Sequence, residues 1–338
     1  MTRALRALLG ALGIAVVALI ACLTPAVSSI TRAVLGLLAA VTLWFVWRWP
    51  QLEQHLAAAE EPAPARPGRP RPFDLAVGFV TNFLDTLGIG NFAPTTAAFK
   101  FARRMPDEDI PGTLNVGHAF PVLTEALILI AAVAVDPRLL IAMIIASVLG
   151  AWLGGGVVAR MSRRAIQTGM GTALLIAAVL FIVTNMHWMP SGGSATALPS
   201  TPFVVAVAGN FVLGALMTLG IGLYAPCLIM LSLLGLNPRA AFPIMMGSCA
   251  FLMPVGGMRF VRTRRYSAPA AVGLAIGGPP AVLIAGYVVK NLPLRWLTWL
   301  VVCVVLYAAS MMLRSALRQP QPRPGVQAVG QSEGGSGV

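Results

Sequence analysis

Apolar runs follow one another along almost the whole chain, separated by short clusters of arginine, proline and polar residues. Most are about 17 to 25 residues long, the length a helix needs to cross a hydrocarbon layer of roughly 30 Å. Two of them open the chain. The run "ALLGALGIAVVALIACLTPAV" is followed by Ala33–Trp49, which ends in the aromatic and basic cluster "WFVWRWP" typical of a membrane interface. Residues 1–50 therefore read as a helical hairpin. The motif "LIAC", ending at Cys22, also fits a lipoprotein cleavage pattern, but a second span follows almost at once. Residues 51–72, with "EEPAPARPGRPRP", are too poor in apolar side chains to pack and read as an extended cytoplasmic linker.

Beyond the linker the pattern occurs twice. Each block has an apolar run (Phe73–Gly90; Phe203–Gly222), a short one (Asn91–Arg104; Leu223–Leu236) and three of spanning length. The long runs are Pro111–Val135, Leu139–Ala159 and Ala165–Met186 in the first block. In the second they are Ala240–Met258, Ala268–Val289 and Arg295–Leu313. A short run of about 14 residues reaches only about 21 Å as a helix, so it reads as a half-helix that turns back. The blocks match without gaps at one offset. Thr86–Gly90 repeats as Thr218–Gly222, Ala93 and Pro94 as Ala225 and Pro226, and Pro106, Pro111 and Pro137 as Pro238, Pro243 and Pro269. This is an internal repeat. Its parts are a first repeat at 73–188, an outside loop at 189–202, a second repeat at 203–316 and a disordered tail at 317–338.

Charge turns the pattern into a topology. With both termini cytoplasmic and each half-helix pair returning to the side it came from, 19 of the 24 Lys and Arg residues fall on the cytoplasmic face and 5 on the other. Three spans plus a returning pair make an odd number of crossings, so the second block is inverted relative to the first. Inverted repeats of this kind recur in secondary transporters. The chain is thus expected to be an all-α polytopic protein of the inner (cytoplasmic) membrane, with two inverted-topology repeats, each carrying a broken half-helix pair, behind an N-terminal hairpin.

Composition agrees. The chain is 57% hydrophobic and 10% charged, with a mean hydropathy of +0.82. A net charge of +13 would point to nucleic acid in a soluble domain, but here the basic residues mark loops, and no nucleic-acid partner is expected. Cys22, Cys227, Cys249 and Cys303 lie in apolar runs without metal or disulfide spacing and read as small buried residues; neither metal nor cofactor is called for.

The chemistry concentrates at the duplicated breaks "DTLGIGNFAP" and "MTLGIGLYAP". Backbone can be interrupted at membrane depth only where it is buried in protein or lines a watery cavity. Glycine allows the reversal, and the helix starts that follow present free N–H groups that favour an anion. The candidate substrate residues are Thr86, Gly88, Gly90, Asn91 and Thr95 with Thr218, Gly220, Gly222 and Tyr224; Thr96 adds a further hydroxyl. Ionisable residues inside spans are functional suspects. Asp85, Glu125 and His118 are read as a proton-coupling group, His118 and Glu125 sharing a face two turns apart. Lys100 is expected to snorkel to the cytoplasmic face. "GAWLG" at Gly150–Gly154 reads as helix packing.

These breaks, "SVLGAWLGGGVVARMSRRAIQ" and the surrounding spans resemble the TauE/SafE family of sulfite exporters over roughly Phe73–Arg314. The hairpin and linker look like additions to it. The family's break is richer in glycine; here Asn91, Phe92, Leu223 and Tyr224 stand in the later positions. The resemblance implies outward movement of sulfite, an organosulfonate or a related anion, with a small anionic solute and membrane lipids as partners and self-association left open. A passive anion channel and a membrane enzyme acting on lipid-linked substrates are the alternatives, although no concentrated catalytic set is present.

Overall fold

The computed structural model describes residues 29–58, 69–87, 89–186, 188, 194–287 and separate positions between 299 and 317. The first helix of the expected hairpin, residues 59–68 of the linker, most of the last span, the C-terminal tail, Gly88 and Cys22 lie outside the described residues. The rest is helical. In chain order the helices are α1 (Ser29–Ala58), α2 (Pro72–Thr86), α3 (Phe92–Phe101), α4 (Ile110–Gly117), α5 (Ala119–Ala132), α6 (Pro137–Val158), α7 (Arg163–Asn185), α8 (Ser200–Met217), α9 (Tyr224–Leu233), α10 (Pro238–Arg262) and α11 (Ala268–Tyr287). Among the described residues six helical segments, α1, the α4–α5 unit, α6, α8, α10 and α11, are long and apolar enough to cross a membrane.

Sequence chemistry sets most helix starts. Pro72, Pro137 and Pro238 occupy first helical turns, where no N–H is needed. Asp136 and Asn237 cap α6 and α10 by accepting from the N–H two residues on. The expected span Pro111–Val135 bends at His118, because Pro121 has no N–H to give the carbonyl of Gly117. The segment 51–58, expected to be extended, instead continues α1 through Pro50. Its apolar stripe explains this: Leu35, Leu38, Phe45 and Trp49 recur at helical spacing, are fully buried and hold the helix against α5 and α10.

The α4–α5 unit and α10 form the centre, with 89% of their most apolar stretch buried against 22% for α8. Around them α2 packs along α11, and α6 along α8. Both contacts are made at glycine. A Cβ on Gly78 would lie 2.7 Å from Leu274 Cα, and one on Gly154 would lie 2.7 Å from the Ala215 carbonyl. Side chains at Gly150 and Gly214 would strike the backbone of Phe211 and Ser147 in the same way, so "GAWLG" is a contact surface.

The two ends of the bundle are tied separately. At one end Arg104 binds Asp74, Gln167 reaches Asp107, Arg265 donates to the Met161 carbonyl at 3.2 Å, and Tyr266 joins Trp49 to Glu53. At the other, Asp136 N–H donates to the Thr196 carbonyl and Asn237 N–H to that of Ala195. Tyr266 lies outside the spans; burial, with the Glu53 carboxylate beside it, pushes its phenol well above the ordinary value and keeps it a donor.

Candidate functional site

Helices α2 and α8 each stop after a run of apolar residues, and each is followed by a glycine with positive φ, Gly90 at 88° and Gly220 at 94°. A side chain rarely adopts that conformation, so these glycines make the reversals into α3 and α9. Pro94 and Pro226 take the third position of the two ten-residue helices. The N–H groups of their first turns have no acceptor within the helix. The two starts meet: a Cβ on Gly222 would lie 3.7 Å from that of Phe92.

Residues of both breaks line a single cavity. Its wall includes Asp85, Gly90, Asn91, Phe92, Gly222, Leu223 and Tyr224, with Val122 from α5, Met217 from α8, and Ile176 and Leu180 from α7. It measures about 40 Å³, a few times what one water requires. Asp85, Asn91 and Tyr224 supply the polar side chains of this wall; Lys, Arg and His are not among its residues.

A hydrogen-bonded chain runs from the cavity into the protein. Asn91 Nδ2 donates to Asp85 Oδ2 at 2.7 Å and to Asn82 Oδ1 at 3.0 Å. The Tyr224 hydroxyl lies 3.3 Å from Asp85 Oδ2 and 3.5 Å from Glu125 Oε2, bridging two carboxyl groups that are within hydrogen-bonding reach of each other. Asp85 Oδ1 and Glu125 Oε1 are buried without a donor. Two acceptor oxygens bond to each other only when one carries a proton, so this arrangement can hold one between them.

Behind Asn91, the Asn82 amide nitrogen donates to the Gly78 carbonyl, which turns Oδ1 toward His118 Nδ1 at 3.0 Å and places a hydrogen on that nitrogen. His118 Nε2 lies 3.0 Å from Thr95 Oγ1, itself 3.0 Å from Thr81 Oγ1. Thr81 donates to the Val77 carbonyl, so Thr95 has one proton for two neighbours. With His118 neutral it serves Nε2; with His118 charged, Nε2 donates and the Thr95 proton turns to Thr81.

The structure divides the expected site residues. Gly90, Asn91, Gly222, Tyr224 and Asp85 line the cavity, and Glu125 joins through Tyr224. His118 and Thr95 stand one shell back. Thr86 donates to the Asn82 carbonyl and reaches Glu125. Thr218 bonds to the Ala215 carbonyl of its own helix, Gly220 shapes the turn against Met170, and Thr96 Oγ1 is buried without a partner. His118 and Glu125 do not act as one face: the bend at His118 sends it to Asn82, while Glu125 turns to Tyr224. Lys100 does not snorkel. It is buried and paired with Asp107, which also accepts from Gln167 at 2.6 Å, because that carboxylate lies within reach of the side chain. Cys227 and Cys249 are buried as expected, whereas Cys303 is exposed. Asn82, the hinge of the network, went unmarked; its only sequence signal is an amide one turn before Asp85 and Thr86 in an apolar run. Among the described residues no three His, Cys, Asp or Glu side chains are grouped to hold a metal.

An all-helical architecture with six described helical segments long and apolar enough to cross a membrane is that of a polytopic membrane protein. The chain belongs to the sulfite exporter TauE/SafE family, whose family model matches residues 2–181. Its members are membrane transporters. The match takes in the segments expected to form a hairpin and linker, which are therefore part of the family pattern and not additions to it, and it stops within α7, short of the second block. No curated protein and no solved structure matches the chain.

Proposed function

We propose that the protein is a secondary transporter that moves a small anion, such as sulfite or an organosulfonate, by alternating access between two inverted repeats, coupled to protons through Asp85 and Glu125. The observation that carries this reading is that two glycine breaks 132 residues apart line one cavity. Helix starts aimed into a space of this size suit a solute of a few heavy atoms, and the space is too small for a lipid-linked substrate.

Two further observations support the repeat. Exchanging α2 with α8, α3 with α9, the α4–α5 unit with α10 and α6 with α11 turns the α2–α11 contact into the α8–α6 contact, and these are the two most extensive side-by-side packings. The contacts that tie each end of the bundle also join segments that the charge count assigns to one side of the membrane. On this reading both termini are cytoplasmic, the membrane is the inner membrane, and transport is outward.

Sulfite flux into and out of proteoliposomes, measured with and without a pH gradient, tests the proposal. A carrier gives saturable flux and counterflow that respond to the gradient. Conductance that does not saturate identifies a channel, and absence of any anion flux ends the reading.

A further inference from the structure

The cavity intended for an anion is lined on one side by acid and contains no fixed positive side chain. Its side-chain protons are also committed. Both amide hydrogens of Asn91 are spent on Asp85 and Asn82, and the single hydroxyl hydrogen of Tyr224 goes to Asp85 or Glu125. An anion placed here with the carboxyl pair ionised would meet repulsion in a medium of low dielectric and would gain donors only from backbone N–H groups.

Protonating the pair reverses both conditions. A pair that already shares one proton carries a single negative charge; one further proton removes it and supplies a carboxyl O–H that the anion can use. We propose that the cavity takes its anion only together with a proton on the Asp85–Glu125 pair, so that proton and anion share one site, cross in the same direction, and singly charged oxyanions are selected over doubly charged ones. This rests on the cavity being the anion's site. The proton comes from the aqueous phase that the cavity faces, resides on a carboxyl oxygen while donating to the anion, and leaves with it on the other side. The ionisable groups facing the pair from neighbouring helices are Tyr224 on α9, Cys249 on α10, and His118 through Asn82; none is a cation that could neutralise it directly.

Because an anion and a proton that need each other bind with positive linkage, the movement of one singly charged anion with one proton is electrically silent. Outward flux then runs against an inward proton gradient. It requires an internal excess of anion of about tenfold for each pH unit by which the outside is the more acidic.

Methanesulfonate is the probe, since it keeps a single charge between about pH 5 and about pH 9 and so reports only the protein's protons. With purified full-length protein in weak buffer, binding is expected to take up about one proton per anion, and affinity to fall about tenfold per pH unit above the titration of the pair. Sulfate is expected to compete more than about tenfold less well. Binding without proton uptake, sulfate binding as tightly as methanesulfonate, or sodium sustaining tight binding at high pH in place of the proton would each overturn the proposal. In the double variant Asp85→Asn/Glu125→Gln any remaining binding is expected to take up no proton; continued uptake would also overturn it. The uptake by the unaltered protein decides the matter whether or not the double variant binds or folds. Linked binding without flux in proteoliposomes would refute the transporter reading alone, and sulfite flux with no accompanying proton would refute the linkage alone.

Discussion

Residues 73–188 bury four carboxylates, and two of them are treated differently from the other two. Asp74 and Asp107 are 0% and 5% exposed, Asp85 and Glu125 0% and 1%, so loss of water does not distinguish them. Their partners do. Asp74 receives Arg104 through two parallel bonds of 2.8 Å and caps α2 by accepting from the Arg71 N–H, while Asp107 receives Lys100 and Gln167. The Asp74 carboxylate in turn raises the Arg104 guanidinium above its ordinary value. Asp85 and Glu125 have the Tyr224 and Thr86 hydroxyls, the Asn91 amide and each other, none of them a cation. A buried carboxylate with a cation is fixed in charge and ties helices together; one without a cation is free to change charge with its surroundings. The first pair holds the end of the bundle; in the proposed transport cycle the second titrates inside it.

The largest effect expected from breaking this contrast is on stability. Asp74→Ala leaves the half-buried Arg104 guanidinium without its carboxylate and removes the cap of α2. The cost expected is about 3–5 kcal/mol. Thermal unfolding in detergent should show a marked fall in midpoint, with Asp107→Ala following in the same direction. Asp85→Asn is the counter-experiment, because replacing a carboxyl that has no cation by an amide removes no ion pair. Its midpoint should hold or rise while the pH dependence of flux changes. A fall as large as that of Asp74→Ala would erase the distinction between the pairs.

Gly220→Val comes next. Its φ of 94° is strained for any side chain, most of all a β-branched one, and the new Cβ would stand 3.0 Å from Met170 Cε. A cost of about 1–3 kcal/mol is expected, together with loss of flux, since the turn sets where α9 begins. Flux at the original rate would detach the break from the site.

Much of this arrangement was legible in the chain. The half-length helices and the cavity at their meeting follow from glycine, proline and run length, because the bilayer leaves so few ways to place a broken backbone. Asp85 and Glu125 stood out because an acid in an apolar run demands a reason. The partners did not stand out. Whether Lys100 reaches water or Asp107 depends on how the loop after α3 folds back, and whether His118 faces Glu125 depends on the bend that Pro121 makes below it. Asn82 was invisible for a similar reason: an amide in a span carries no charge to flag it, and its role comes from the three residues it joins, Asn91, His118 and Gly78. The helical course of 51–58 was hidden by the proline-rich composition around it, while its anchor, Tyr266, is over 200 residues away.

That anchor gives the smallest and most selective test. Tyr266 donates to Glu53 and accepts from Trp49 Nε1 at 2.9 Å, tying α1 to the turn before α11 at the same end as the Asp74 and Asp107 pairs. Tyr266→Phe keeps the ring and removes both bonds, for an expected cost of about 1 kcal/mol. If α1 serves only to cover the bundle, the midpoint should drop slightly and flux should stay the same. If its hold on this end helps set which side the cavity faces, the ratio of inward to outward flux in oriented proteoliposomes should shift while the pH dependence proposed for Asp85 and Glu125 stays where it was. A changed pH dependence would mean that the two regions are coupled and that the division between holding and titrating carboxylates is incomplete.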